Sequence, residues 1–400
     1  MSFRSQVFRL TGPALLSVAA LLPGGARGGE DDLPARVQAG IRQAVEALLE
    51  RQAESGGFPS AAYGALKDGQ ALTPFVLETL SRLPVEERRL HAEPFARAIA
   101  FVRASVGPDG AVGAAGEVRE YPVYATALAV RAWMRLKPEG GGAEVARWVA
   151  YLESAQHAEA NGSQPGEPAY GGWGPQGKPG PALPRHADLS ATRHVLQALE
   201  AAGLPRANPA WERALSFQAR CRAKEPGAAQ RWLGAYFSPT QPESNKAGAY
   251  EAQPGAPPAF RPYGTATLDG WLSWRLALGE EEFKARAERI ETRLVRQALE
   301  EAASSLHAAP GFEDLVPDVQ AWGKALSGYH LNALAEADAA GALDLDRSAW
   351  KRLAERTLET QGRNGLWANE SNLMKEDDPL IATPLALGVL LRARERLGRK

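Results

Sequence analysis

The 400-residue sequence has a single cysteine, Cys221, so no disulfide can form within the chain. Neither charge is in surplus: 46 Lys and Arg stand against 47 Asp and Glu, a formal −1 at pH 7. That balance offers no electrostatic case for binding nucleic acid or an anionic membrane. No segment approaches the roughly 18 apolar residues a transmembrane helix needs, so the chain is not expected to span a membrane. Histidines and carboxylates lack the short spacing of a metal site, and no metal or cofactor is expected. Runs of β-branched residues in period-two alternation are scarce, while Ala, Leu, Arg and Glu dominate, which argues against a sheet protein.

What is present begins with the N-terminus. Arg4 and Arg9 precede an apolar run from Ala14 to Leu22. Pro23, Gly24 and Gly25 break that run, and Ala26-Arg27-Gly28 supplies small residues at −3 and −1. This order is that of a secretory signal peptide, so residues 1–28 are expected to direct the protein to a secreted or periplasmic location.

Residues 29–400 are expected to form one domain built of repeats. Gln52 to Phe58 and Gln361 to Trp367 both follow the pattern Q-x-x-x-G-x-aromatic. Degenerate copies lie between: Val106 to Val112 keeps Gly110, and Gln156 is separated from Gly172 and Trp173 by an insertion. Apolar residues near 3.6 spacing precede each motif, as in Val45-Leu48-Leu49 and Val145-Val149-Leu152. A second helix follows, anchored at Thr73, Thr126, Thr192, Thr267 or Thr383, with His330 taking the same place once. The pattern predicts six helical hairpins, twelve helices in all. One helix of each pair is amphipathic; the other is nearly apolar all round, as a helix buried on both faces would be. Six such pairs closing on themselves make a double-layered ring. In the motif, glycine permits a turn with φ > 0, the aromatic plugs the gap between hairpins, and the glutamine can bond orphan backbone groups.

Long polar insertions at 157–170, 223–262 and 305–325 all fall between an outer helix and the next inner one. They gather at one rim, where insertions often mark a binding face. Candidate ligand-rim residues at inner-helix N-termini are Tyr121, Tyr124, Arg261, Tyr263, Tyr329 and His330. Candidate catalytic groups are Asp188, His186, Glu376 and Asp377, whose carboxylates are equally suited to capping helices. Paired carboxylates there could also serve a glycosidase or lyase.

Glutamine-glycine-aromatic turns alternating with Thr-anchored helices resemble the squalene cyclase and protein prenyltransferase repeat. Closest in pattern are exported bacterial prenyltransferase/squalene-oxidase-repeat proteins of unassigned activity. Asp188 through Leu199 with Ala202-Gly203-Leu204, Tyr263 through Thr267, and Asp377-Asp378-Pro379 through Thr383 carry the likeness, which covers roughly residues 38–398. The resemblance implies an all-α (α/α)6 toroid with a central cavity for an isoprenoid-like chain. It also implies a D-x-D-D-T acid motif in the cyclases. Here Asp188-Leu189-Ser190-Ala191-Thr192 stands in its place, with Ser190 where the proton donor would be. A serine hydroxyl is too weak an acid to protonate an alkene. The Asp-x-Cys zinc pair of prenyltransferases is also missing, since Ala219-Arg220 precede Cys221. The expectation is an exported toroid that binds a hydrophobic molecule, or a protein partner at its rim, without that acid. The alternative is an enzyme acting on isoprenoid or glycan through rim carboxylates and histidines.

Overall fold

The computed structural model describes residues 32–115, 119–178, 185–224, 232–250, 259–287 and 322–398. The expected export signal lies outside them, as does most of the 305–325 insertion. Outer helices are α1 (Leu33–Leu49), α3 (Ala92–Ala104), α5 (Gly141–Ala155), α7 (Pro209–Arg220), α9 (Glu280–Ala287) and α11 (Arg347–Glu359). Inner helices are α2 (Leu72–Leu80), α4 (Pro122–Leu136), α6 (Leu189–Ala201), α8 (Gly264–Leu278), α10 (Ser327–Ala339) and α12 (Pro379–Gly398). Two short helices, Val85–Arg89 and Trp322–Ala325, sit in connections.

The two layers follow from the patterning. Helix α1 buries Leu33, Val37, Ile41, Ala44, Val45 and Leu48, a single stripe. Helix α6 buries every residue from Leu189 to Leu196, because neighbours enclose it on all sides. Each inner helix packs on the next: α2 on α4, then α6, α8, α10 and α12, and α12 packs back on α2. The ring therefore closes. Trp133 of α4 meets Trp148 of α5 edge to face at 4.9 Å, and Trp271 of α8 meets Phe283 of α9 at 5.2 Å. These indoles fill the space between layers rather than facing the centre.

One hydrogen bond recurs at the start of five inner helices. The hydroxyl oxygens of Thr73, Thr126, Thr192, Thr267 and Thr383 accept the backbone N–H of Phe58, Val112, Trp173, Ala235 and Trp367, at 2.9 to 3.2 Å. Ala235 marks a motif position that sequence patterning missed, since it has neither the glutamine nor the aromatic. Glutamine Nε2 donates twice in three copies. Gln52 bonds the carbonyls of Gly56 and Pro94, Gln156 those of Gly171 and Ala210, and Gln361 those of Gly365 and Gly40. One acceptor lies in the glutamine's own turn and the other in the next outer helix, so the last turn is tied to the first helix. Orphan carbonyls at outer-helix ends are met instead by the motif tryptophans: Trp173 Nε1 donates to Leu152 and Trp367 Nε1 to Thr357. Gly171 has φ +87°, and a Cβ there would collide with the carbonyl of Arg213, so that turn requires glycine.

Two expectations are corrected. A two-stranded antiparallel hairpin, β1 (Arg222–Lys224) with β2 (Trp232–Ala235), forms in the 223–262 insertion, though the fold remains helical. The inner helices are also not nearly apolar: α2, α4, α6, α8, α10 and α12 carry Glu78, Arg131, Arg193, Asp269, Glu336 and Arg392, all buried. Each charge is tolerated in the interior because a neighbouring inner helix supplies an opposite one.

Candidate functional site

The bore of the ring is divided in two. The upper cavity, about 290 Å³, is lined by residues near the inner-helix N-termini, among them Leu72, Tyr121, Tyr124, Ser190, Tyr329 and Leu385. The lower one, about 260 Å³, is lined by residues near the C-termini, including Arg135, Ala201, Leu276 and Ala340. The inner helices thus run parallel, with the described parts of the long insertions at the upper end. Arg82, Arg131, Glu336 and Arg392 line both cavities and form the floor between them.

That floor is a tight ionic layer. Glu78 takes Arg82 at 2.7 Å and Arg131 and Arg135 at 2.9 Å. Glu336 takes Arg131 and Arg392, both at 2.8 Å, and also bonds Arg193. Burial opposes ionisation of both carboxyls, but the surrounding guanidiniums outweigh it and hold each well below the usual carboxylate range. Arg193 pairs with Asp269 at 2.7 Å. Burial outweighs that pairing and raises the Asp269 carboxyl to about 6.

Above the floor lies a polar cluster. The Tyr329 hydroxyl is 2.7 Å from Ser190 Oγ, accepts from Arg193 at 2.9 Å and donates to Asp269 at 2.9 Å. His194 has a guanidinium at each ring nitrogen, Arg193 at 3.1 Å and Arg131 at 3.4 Å. Burial, then those two cations, hold its pKa well below the ordinary value, so the ring is neutral. A neutral imidazole has one acceptor nitrogen, so only one of the two contacts is a hydrogen bond. The upper wall is apolar, with Leu66, Leu72, Phe75, Leu128, Ile381 and Leu385 exposed to the cavity. Tyr121 at the mouth has φ +45°, an uncommon conformation for a non-glycine residue and one that clusters at ligand sites.

Of the rim residues singled out by sequence, Tyr121, Tyr124 and Tyr329 lie on the cavity wall. Arg261 does not: it is exposed and stacks over Tyr250 at 5.4 Å. Tyr263 is buried at the start of α8, its N–H bonded to Ala235. His330 is buried in α10, and burial pushes its imidazole down to about 4.

The four catalytic candidates also lie off the wall of the upper cavity, although Glu376 lines a separate cleft of about 510 Å³ between α10, α11 and α12. Asp188 caps α6, accepting from Ala191 N–H at 2.7 Å, with His186 Nε2 3.3 Å from its other oxygen. His186 Nδ1 faces Thr240 Oγ1 at 3.1 Å. Glu376 accepts the Gly328 and Tyr329 N–H groups at the start of α10, both at 2.9 Å, while burial raises its carboxyl to about 7. Asp377 bonds the Tyr63 hydroxyl from the first hairpin. Cys221 is buried at the end of α7 with its thiol pushed well up by burial, an inert environment.

Sequence reasoning missed the ionic floor. Its signal was one or two charges inside an otherwise apolar helix: Glu78 alone in α2, Arg131 with Arg135 in α4, the first of each five residues beyond its anchor threonine.

A closed inner ring around a divided bore makes this chain an α/α toroid. No protein-family model and no curated protein matches the sequence. Among solved structures it is similar to the type II terpene cyclase MstE from Scytonema, a D109A form in complex with merosterolic acid A. That match has 13% identity, covers 92% of this chain and 100% of the cyclase, and has a TM-score of 0.54. A D-mannose isomerase matches at 14% identity over 90% of this chain and 97% of its own, TM-score 0.55. The GH76A α-1,6-mannanase of Salegentibacter sp. matches at 13% over 92% and 100%, TM-score 0.50. Likenesses this remote in sequence establish the fold. Among the described residues no helix is long and apolar enough to cross a membrane.

Proposed function

We propose that this protein is an exported toroid that holds a hydrophobic, isoprenoid-like molecule in its upper cavity and does not start a cyclisation by protonating it. One observation carries the reading: the only carboxylates among the described residues on that wall are Glu78 and Glu336, both locked in the ionised form by guanidiniums. Neither can donate a proton to an alkene. Ser190 meets the cavity where a cyclase would place its acid, and the Asp188 carboxylate is turned away to cap its own helix. A carbocation in this space would also sit above a layer of guanidiniums that repel it.

The likeness to a terpene cyclase in complex with merosterolic acid A supports an apolar ligand, as do the aliphatic walls. Roughly 290 Å³ is about twice the 150 Å³ of a dry cavity that holds benzene, room for roughly a dozen heavy atoms. Residues 1–28 supply the export reading. The test is organic extraction of the purified mature protein followed by mass spectrometry. A stoichiometric hydrophobic molecule is expected; protein that is repeatedly empty, and that takes up no added isoprenoid, would contradict the reading.

A second reading, an enzyme working from the rim on isoprenoid or glycan, is favoured by the Asp188–His186–Thr240 chain of contacts at 3.3 and 3.1 Å. It requires that Asp188→Ala abolish a turnover while the protein stays folded.

A further inference from the structure

We propose that the cationic floor of the upper cavity binds the carboxylate head of an amphipathic acid whose apolar body occupies the aliphatic wall above it. This deepens the function proposed above and rests on it, naming the class of molecule the cavity takes.

The floor has more positive charge than the protein neutralises. Five guanidiniums, those of Arg82, Arg131, Arg135, Arg193 and Arg392, converge on three carboxylates, Glu78, Asp269 and Glu336. The excess is two cations; Arg135 is about a third exposed and reaches water, while Arg131, Arg193 and Arg392 are buried. Arg392 is 6% exposed and shows the imbalance most clearly. It shares Glu336 with three other arginines, and its Nε has no hydrogen-bond partner. Burial, then repulsion from Arg82, pulls its guanidinium down to about 9. A buried cation without a full counter-charge is costly, and an anion entering the cavity removes that cost.

Geometry selects the anion. Arg82, Arg131 and Arg392 line both the upper cavity and the lower one, and a planar guanidinium fork suits a carboxylate bidentately. The space above holds roughly a dozen heavy atoms, so a compact head on a ten-carbon chain fits. A bulky polar head would leave no room for a body to cover Leu72, Phe75, Leu128 and Leu385.

The experiment compares geranate with geraniol, one ten-carbon skeleton with and without the carboxylate. Binding to the full mature protein is followed by isothermal titration calorimetry at pH 7.5. Wild type is expected to bind geranate about tenfold or more tighter than geraniol, the gain of one charge-assisted hydrogen bond or more. Arg392→Met and, separately, the less buried Arg82→Gln should bring the ratio of geranate to geraniol affinity down to about one. Circular dichroism verifies folding, and Arg82→Gln keeps the test decisive if Arg392→Met does not fold. Equal binding of the two molecules, or a geranate preference that survives in the folded variants, overturns the carboxylate site and leaves the hydrophobic cavity standing. Binding of neither to folded wild type overturns the cavity's proposed function as well.

Discussion

Asp188, Glu376 and Asp378 at the rim accept backbone N–H groups at the starts of inner helices, whereas Glu78 and Glu336 in the bore accept guanidiniums from neighbouring inner helices. The residue types match, but what removing one leaves behind differs. At the rim the loss is a cap, and water can replace part of it. In the bore the loss is the counter-charge of several buried cations.

Substitutions should therefore separate the two regions by size of effect. Glu336→Gln strips the shared partner from Arg131, Arg193 and Arg392, and denaturant unfolding should show a loss of about 3–5 kcal/mol. A loss below about 1 kcal/mol would mean that the floor is hydrated and the contrast false. Thr192→Val keeps the shape but leaves the buried Trp173 N–H without its acceptor, and about 1–3 kcal/mol should go by the same measurement. Asp188→Ala should cost about 1 kcal/mol, the usual worth of an N-cap. If it also abolishes a turnover at unchanged fold, the rim carries chemistry after all.

The finest discrimination is in pH. Glu376 holds its proton more tightly folded, at about 7, than at its ordinary 4.5. The stability it contributes is complete below about pH 4.5 and falls as pH rises through 7. Wild type should therefore lose stability relative to Glu376→Gln between about pH 4.5 and 7.5; the buried His194 and His330, held neutral in the fold, add a slope of opposite sign to both proteins alike. Asp269, raised to about 6, adds a slope of the same sign that the variant retains. The bore glutamates, held well below the usual range, give a slope of opposite sign that is confined to the acid end of this window, where the unfolded chain still takes up protons, and Glu376→Gln retains it. An unchanged slope in Glu376→Gln would place the titration elsewhere.

The ring was legible because its devices are local. Thr126 and its kin recur with an alanine before them and an apolar helix after, and a hydroxyl that bonds a turn leaves that trace in any sequence. The fourth turn was not legible, because Ala235 keeps only the backbone N–H, which every residue but proline has. Of the site, the tyrosines at the mouth could be named from their places at helix starts. The floor could not, since Glu78 and Glu336 are 258 positions apart and meet the same arginine only after the ring closes. A lone charge in an apolar helix records burial without saying what it meets there. The rim carboxylates drew notice for the opposite reason: they cluster in sequence near helix starts, where Asp188 and Asp378 cap their helices while Asp377 bonds Tyr63.

The most direct measurement is unfolding free energy with and without geraniol, in wild type and in Leu385→Trp, which fills the upper cavity. At a hundredfold excess over Kd the ligand should stabilise wild type by about 2.7 kcal/mol and the filled variant not at all. Equal stabilisation of both proteins, or none in wild type, would contradict a ligand held in the bore.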